Sequence, residues 1–87
     1  EVDIEYLNEI LVKQNFKCNL SGLDIGFSHS KKDNYTATAS IDRIDSNKGY
    51  IVGNLQWIHK DINLMKNHFQ QEYFLELCEK IIKNRTL

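Results

Sequence analysis

Between Ile41 and Lys66 the chain reads IDRIDSNKGYIVGNLQWIHKDINLMK, a run in which side chains of several kinds suited to phosphate chemistry recur. Phosphodiester cleavage needs a divalent cation to neutralise the scissile phosphate, a base to activate water, and a cation for the charge that develops. Asp42 offers a carboxylate and Asn63 an amide carbonyl. Both are hard oxygen donors, suited to Mg2+, Mn2+ or another divalent cation that keeps most of its shell for water and phosphate. Arg43, Lys48, Lys60 and Lys66 supply positive charge, Asn54 a further amide, and His59 an imidazole that can move a proton near neutral pH. These residues point to a small nuclease site.

The elements that must position them follow from the pattern around them. Tyr35 to Ile44, YTATASIDRI, is rich in β-branched and small residues and predicts a strand. Asp45 to Gly49, DSNKG, predicts a turn with Gly49 in the left-handed region, and Tyr50 to Val52 a short returning strand. Asn54 then serves as the cap of a helix. On that helix Leu55, Ile58, Ile62 and Met65 form an apolar stripe, and His59, Asn63 and Lys66 a polar one.

Flanking segments predict further helices. Ile4, Leu7, Ile10 and Leu11 recur at helical spacing behind an Asp3 cap, and Tyr73, Phe74, Leu77, Cys78, Ile81 and Ile82 make a wide apolar face between Gln70 and Asn84 that would pack back on the core. Between them, CNLSG at Cys18 to Gly22 reads as a tight turn ending in a glycine free to take positive φ, and Phe27 to Asn34 as a polar loop.

At 87 residues the chain suffices for one domain, spanning residues 1–87, with a thin core. The net charge of −1 is low for a nucleic-acid binder, but its distribution is uneven. Acids crowd the first segment (Glu1, Asp3, Glu5, Glu9) and the last (Glu72, Glu76, Glu79), while Lys31, Lys32, Arg43, Lys48, Lys60 and Lys66 lie in the middle. No apolar run approaches the length of a membrane span, and the two cysteines, Cys18 and Cys78, form no CxxC pair. The expectation is a cytoplasmic protein with free thiols and no membrane partner, Cys18 acting as a small buried hydrophobe. A first residue other than Met is compatible with a piece of a longer protein.

The central stretch resembles the HNH endonuclease family, whose ββα-metal fold arranges two antiparallel strands and a helix around one cation. The family pattern is an Asp-His pair on the first strand, an Asn in the loop after the second and a final His or Asn in the helix, commonly within NLQxLCxxCNxxK. Here NLQWIHKDINLMK places Asn54, Leu55, Gln56, Asn63 and Lys66 on that pattern. The order DRIDS, KGY, GN is similar to phage and restriction-associated members, and the likeness covers about residues 18 to 66. The resemblance implies an α+β fold with a ββα-metal core flanked by N-terminal and C-terminal helices. It also implies a Mg2+-dependent or Mn2+-dependent DNA endonuclease, with Asp42 and Asn63 as metal ligands, Asn54 as a brace between the two parts of the site and Lys66 as a phosphate contact. DNA is the implied partner, with a second copy of the chain or further domains of a longer one beside it.

Two departures stand out. The family's four zinc-binding cysteines are replaced by Cys18, Ser21, His59 and Ile62, which excludes a full structural zinc set. Arg43 occupies the slot of the general-base histidine, and a guanidinium stays protonated, so it can hold phosphate but cannot accept a proton. The base is then His59, His29, Tyr35 or Tyr50, or a metal-bound hydroxide alone. A catalytically inactive, HNH-derived DNA-binding module is the main alternative, and a helical protein-interaction domain a third.

Overall fold

The computed structural model describes residues 1–27 and 37–86. Helices α1 (Ile4–Lys13), α2 (Lys60–Lys66) and α3 (Gln71–Arg85) surround a two-stranded antiparallel sheet, β1 (Ala39–Arg43) and β2 (Leu55–His59). The class is α+β. His29, Lys31, Lys32 and Tyr35, together with the start expected for the first strand, lie outside the described residues.

Helix α1 begins as its sequence predicts: the Asp3 carboxylate accepts the Tyr6 backbone N–H at 2.8 Å. It ends at Gln14, after which Asn15 and Phe16 turn the chain with positive φ (56° and 57°). The following turn closes with the Gly22 N–H donating to the Cys18 carbonyl, and Gly22 adopts φ +75°, where a Cβ would be strained. Both Cys18 and Cys78 are free thiols, and Cys18 is buried.

The sheet pairs Ile41 with Trp57 and Asp42 with Gln56. Tyr50–Val52 is therefore not the second strand, and Asn54 is not a helix cap. The strand is Leu55–His59, and the helix begins only at Lys60, capped by His59. Leu55, Gln56, Trp57 and Ile58 are all buried, because α1 and α2 both pack on β2. A strand covered on both faces lacks the alternation that marks a half-exposed one. Its apolar residues combine with Ile62 and Met65 of α2 to imitate a helical stripe, yet Met65 is exposed.

The core joins Leu11, Cys18, Ile25, Trp57 and Ile58, with Leu7, Ile10, Leu20, Ala39, Ile41 and Ile62 against them. Trp57 ties α1 to the sheet: its indole N–H donates to the Leu7 carbonyl at 2.8 Å. Gln14 completes the link, its amide nitrogen donating to the Trp57 carbonyl (2.8 Å) and its amide oxygen accepting the Trp57 N–H (3.0 Å). The side chain thus occupies the outer edge of β2 as a strand would, which closes an edge otherwise open to foreign pairing.

Only the first half of α3 packs back on the body. Phe74 is buried, Leu77 and Cys78 are half-buried, and Ile81 and Ile82 are 61% and 62% exposed. No helix among the described residues is long and apolar enough to cross a membrane.

Candidate functional site

Asn63 and Lys66, one turn apart on α2, fasten the helix to β1. The Asn63 amide nitrogen donates to the Ser40 hydroxyl at 2.6 Å and to the Ile41 carbonyl at 3.4 Å. The Lys66 ammonium donates to Asp42 Oδ2 at 2.8 Å and to the Arg43 carbonyl at 2.9 Å. Lys66 is fully buried and Asp42 is 6% exposed, so this ion pair lies in the interior. Gln56 Nε2 donates to the same Asp42 oxygen at 2.9 Å, and the Gln56 carbonyl accepts from Asn19 Nδ2 at 2.8 Å. Burying two opposite charges is tolerable only with such geometry and such added hydrogen bonds. The buried side-chain polar atoms among the described residues all have partners.

Lys66 is therefore not a phosphate contact in this structure; its ammonium is committed to Asp42. The polar stripe expected from His59, Asn63 and Lys66 is divided between two faces. Asn63 borders an open cleft of about 440 Å³, lined by Arg43, Lys60, Asn63, Leu64, Asn67 and His68, while Lys66 turns into the core. Residues 60, 63, 64 and 67 recur at the helical spacing of one face; the expected stripe at 59, 63 and 66 departed from it because His59 belongs to β2 and Lys66 to the core. His68 belongs to no such period. It enters the cleft because Asn67 ends α2 with φ +53° and ψ −131° and reverses the chain.

The cleft lining carries two cations, two amides and an imidazole, and no carboxylate. Arg43 is steadied at its edge by the Lys48 carbonyl, which accepts from Nη1 at 3.3 Å, and by the Tyr50 ring 5.4 Å below the guanidinium. Tyr50 thus meets Arg43 through its ring face. Lys60 is exposed and paired with Asp61 at 3.1 Å, and Lys48 is exposed on the loop between the strands.

His59 lies at the end of β2, opposite Ala39, and does not line the cleft. Its Nδ1 accepts the Asp61 backbone N–H at 3.1 Å and so caps α2. That bond uses the lone pair of the neutral ring and puts the proton on Nε2. Asn54 is buried and braces the loop rather than the helix. Its amide oxygen accepts the Asp45 N–H (2.8 Å), and its amide nitrogen donates to the carbonyls of Asp45 (3.1 Å) and Gly49 (2.9 Å). Gly53 beside it, not Gly49, takes the positive φ that the turn needs, +89°. Asp45 is held in turn by Gln70, whose amide donates to its carboxylate at 2.9 Å. This bond, then the Asn47 N–H and the Lys48 charge, keep the Asp45 carboxyl below the usual carboxylate range.

The residues expected to hold a cation fit one in kind. Among the described residues no partner takes Asp42 Oδ1 or Asn63 Oδ1, both hard oxygens, and few protein ligands suffice for a Mg2+-like ion. The opposing factor is Lys66, whose positive charge already neutralises Asp42.

At the expected zinc-knuckle positions, Cys18 Sγ accepts the Ser21 N–H at 3.3 Å. Burial pushes its thiol up, but hydrogen bonds from the Ser21 side chain and from the backbone of His59, Ser21 and Leu20 outweigh this and leave it lowered. Compared with known proteins, the chain matches no family model, no curated sequence and no solved structure.

Proposed function

We propose that this chain is a metal-dependent DNA endonuclease that hydrolyses phosphodiester bonds at the cleft between β1 and α2. The observation that carries the reading is the cleft itself: Arg43 from β1 and Lys60 and Asn63 from α2 converge on one open surface beside the buried Asp42–Lys66 pair. A surface of cations and amides suits the phosphate backbone of DNA, where charge-assisted hydrogen bonds supply most of the affinity. The succession of β1, β2 and α2, with Asp42 and Asn63 on the strand and helix that face each other, agrees with the ββα-metal arrangement that the sequence resembles.

In this reading Arg43 and Lys60 bind and orient the phosphate, and Lys48 extends the contact along the backbone. Lys66 positions Asp42 from behind. Asn54 fixes the loop that carries Lys48 and Tyr50, and hence the place of the Arg43 guanidinium. A divalent cation held through Asp42 and Asn63 would neutralise the phosphate and acidify an attacking water.

A second reading, an inactive DNA-binding module of the same descent, is favoured by the guanidinium in the base position and by the Lys66–Asp42 pair. Supercoiled plasmid incubated with the protein and Mg2+ or Mn2+ separates the two. Nicking that EDTA abolishes supports the endonuclease. DNA binding without any nicking refutes it and leaves the module.

A further inference from the structure

We propose that His68 is the group that takes the proton from the attacking water, in the place where Arg43 cannot. The inference rests on the endonuclease reading above and names the residue of that site which its sequence pattern lacks.

Two histidines lie among the described residues, His59 and His68, and their ring nitrogens are differently committed. His59 spends its lone pair on the Asp61 N–H. His68 Nδ1 stands 3.2 Å from Asn67 Oδ1, and an amide oxygen only accepts, so Nδ1 carries the proton. The lone pair of His68 is then on Nε2, outside that bond. This is the tautomer a general base needs, fixed by a neighbour as catalytic histidines commonly are.

The surroundings favour the same role. His68 is exposed, so water reaches it, and it lines the same cleft as Arg43 and Asn63. Phe69 packs against its ring at 5.4 Å with an interplanar angle of 31°, and Tyr73 meets Phe69 edge-on at 5.5 Å. The charged groups that border the cleft with it are Arg43 from β1 and Lys60 from α2, both cations. The strained backbone of Asn67 (φ +53°, ψ −131°) is what turns His68 toward them, and strain of this kind persists where surrounding structure holds it.

In the step assigned to it, Nε2 of His68 accepts one proton of a water as the water oxygen forms a bond to phosphorus. One P–O ester bond breaks, its electron pair passes to the departing sugar oxygen, and that oxygen takes a proton from solvent. The products are a phosphomonoester and an alcohol, and Arg43 holds the phosphate oxygens as charge builds on them.

The test compares the intact chain with His68→Ala and His68→Gln on plasmid DNA with Mg2+, following kcat, KM and their pH dependence. The expected result is a fall in kcat of about 10²- to 10⁴-fold with little change in KM. The acid limb that a histidine base gives to the rate profile should vanish in both variants. Added imidazole should restore part of the His68→Ala rate. An unchanged kcat and pH profile, or a loss confined to KM or DNA affinity, overturns the assignment of the base and leaves the endonuclease standing. An inert parent protein overturns the endonuclease reading and this inference with it.

Discussion

Replacing Lys66 with methionine removes one charge of the buried pair at nearly constant side-chain volume. Among the described residues the Asp42 carboxylate, 6% exposed, then keeps its bond from Gln56 alone, and the Arg43 carbonyl loses the donor at 2.9 Å. Breaking a buried pair on one side costs about 3–5 kcal/mol, because the remaining ion is neither paired nor hydrated. A chain of 87 residues has a total stability of about 4–13 kcal/mol at 0.05–0.15 kcal/mol per residue. The substitution therefore consumes a large share of the whole. Urea unfolding followed by the fluorescence of Trp57, the one tryptophan and a core residue, reads this directly. The midpoint should fall by about 2–5 M if the urea slope is about 1–1.5 kcal/mol per M. Thermal unfolding should shift down by more than about 12 °C, at about 4–8 °C per kcal/mol. Asp42→Leu combined with Lys66→Met should recover much of the loss, since a buried pair exchanged for apolar groups is close to neutral. A cost below about 1 kcal/mol for Lys66→Met, the range of surface pairs, would refute the reasoning.

Other perturbations test the loop, the acid response and the cleft. Asn54→Ala leaves the Asp45 N–H and two carbonyls without a side-chain partner and should cost about 1–3 kcal/mol in the same urea assay. Asp45 has a folded pKa below its unfolded value of about 3.9, so it adds stability above that pH, and the addition is lost as the pH falls through the folded value. Asp45→Asn should accordingly flatten the stability curve below about pH 4, and an unchanged acid limb would remove Asp45 from the account. On the endonuclease reading, Arg43→Ala and Lys60→Ala should each weaken DNA binding and lower the slope of log K against log salt by about 0.9 if each neutralises one phosphate. Identical slopes in parent and variants would take both residues off the backbone.

The Lys66 ion pair also changes how substitutions at Asp42 are to be interpreted. The resemblance in the sequence implies Asp42 as a metal ligand, so its removal would be expected to silence a nuclease. With Lys66 buried against it, Asp42→Ala leaves an unpaired ammonium in the interior, and lost activity would not distinguish chemistry from unfolding. Asn63, half-buried and bound to β1 by neutral hydrogen bonds, is the cleaner position for that experiment.

What was legible in the sequence divides along physical lines. Helix α1 and the core of β1 follow from local rules, a capping aspartate with an amphipathic face in one case and β-branched composition in the other. Strand β2 escaped because burial on both faces erases period two, and the loop before it because a buried asparagine, rather than turn composition, holds it. Asp42, Arg43, Asn63 and Lys66 do come together between β1 and α2, while Asn54 stays with the loop it braces. Their division between core and cleft depends on where α2 begins, which is fixed by His59 bonding to Asp61 and is invisible to spacing. The overhang of α3 was equally hidden, since an apolar face does not say how much body lies beneath it.

The Gln14 side chain, hydrogen-bonded to both backbone groups of Trp57, makes two distant parts of the chain open together. The Trp57 amide hydrogen can exchange with solvent deuterium only after the Gln14 side chain lets go of β2. Its exchange rate therefore reports the release of that one latch, in a single amide, under conditions where the rest of the domain remains folded.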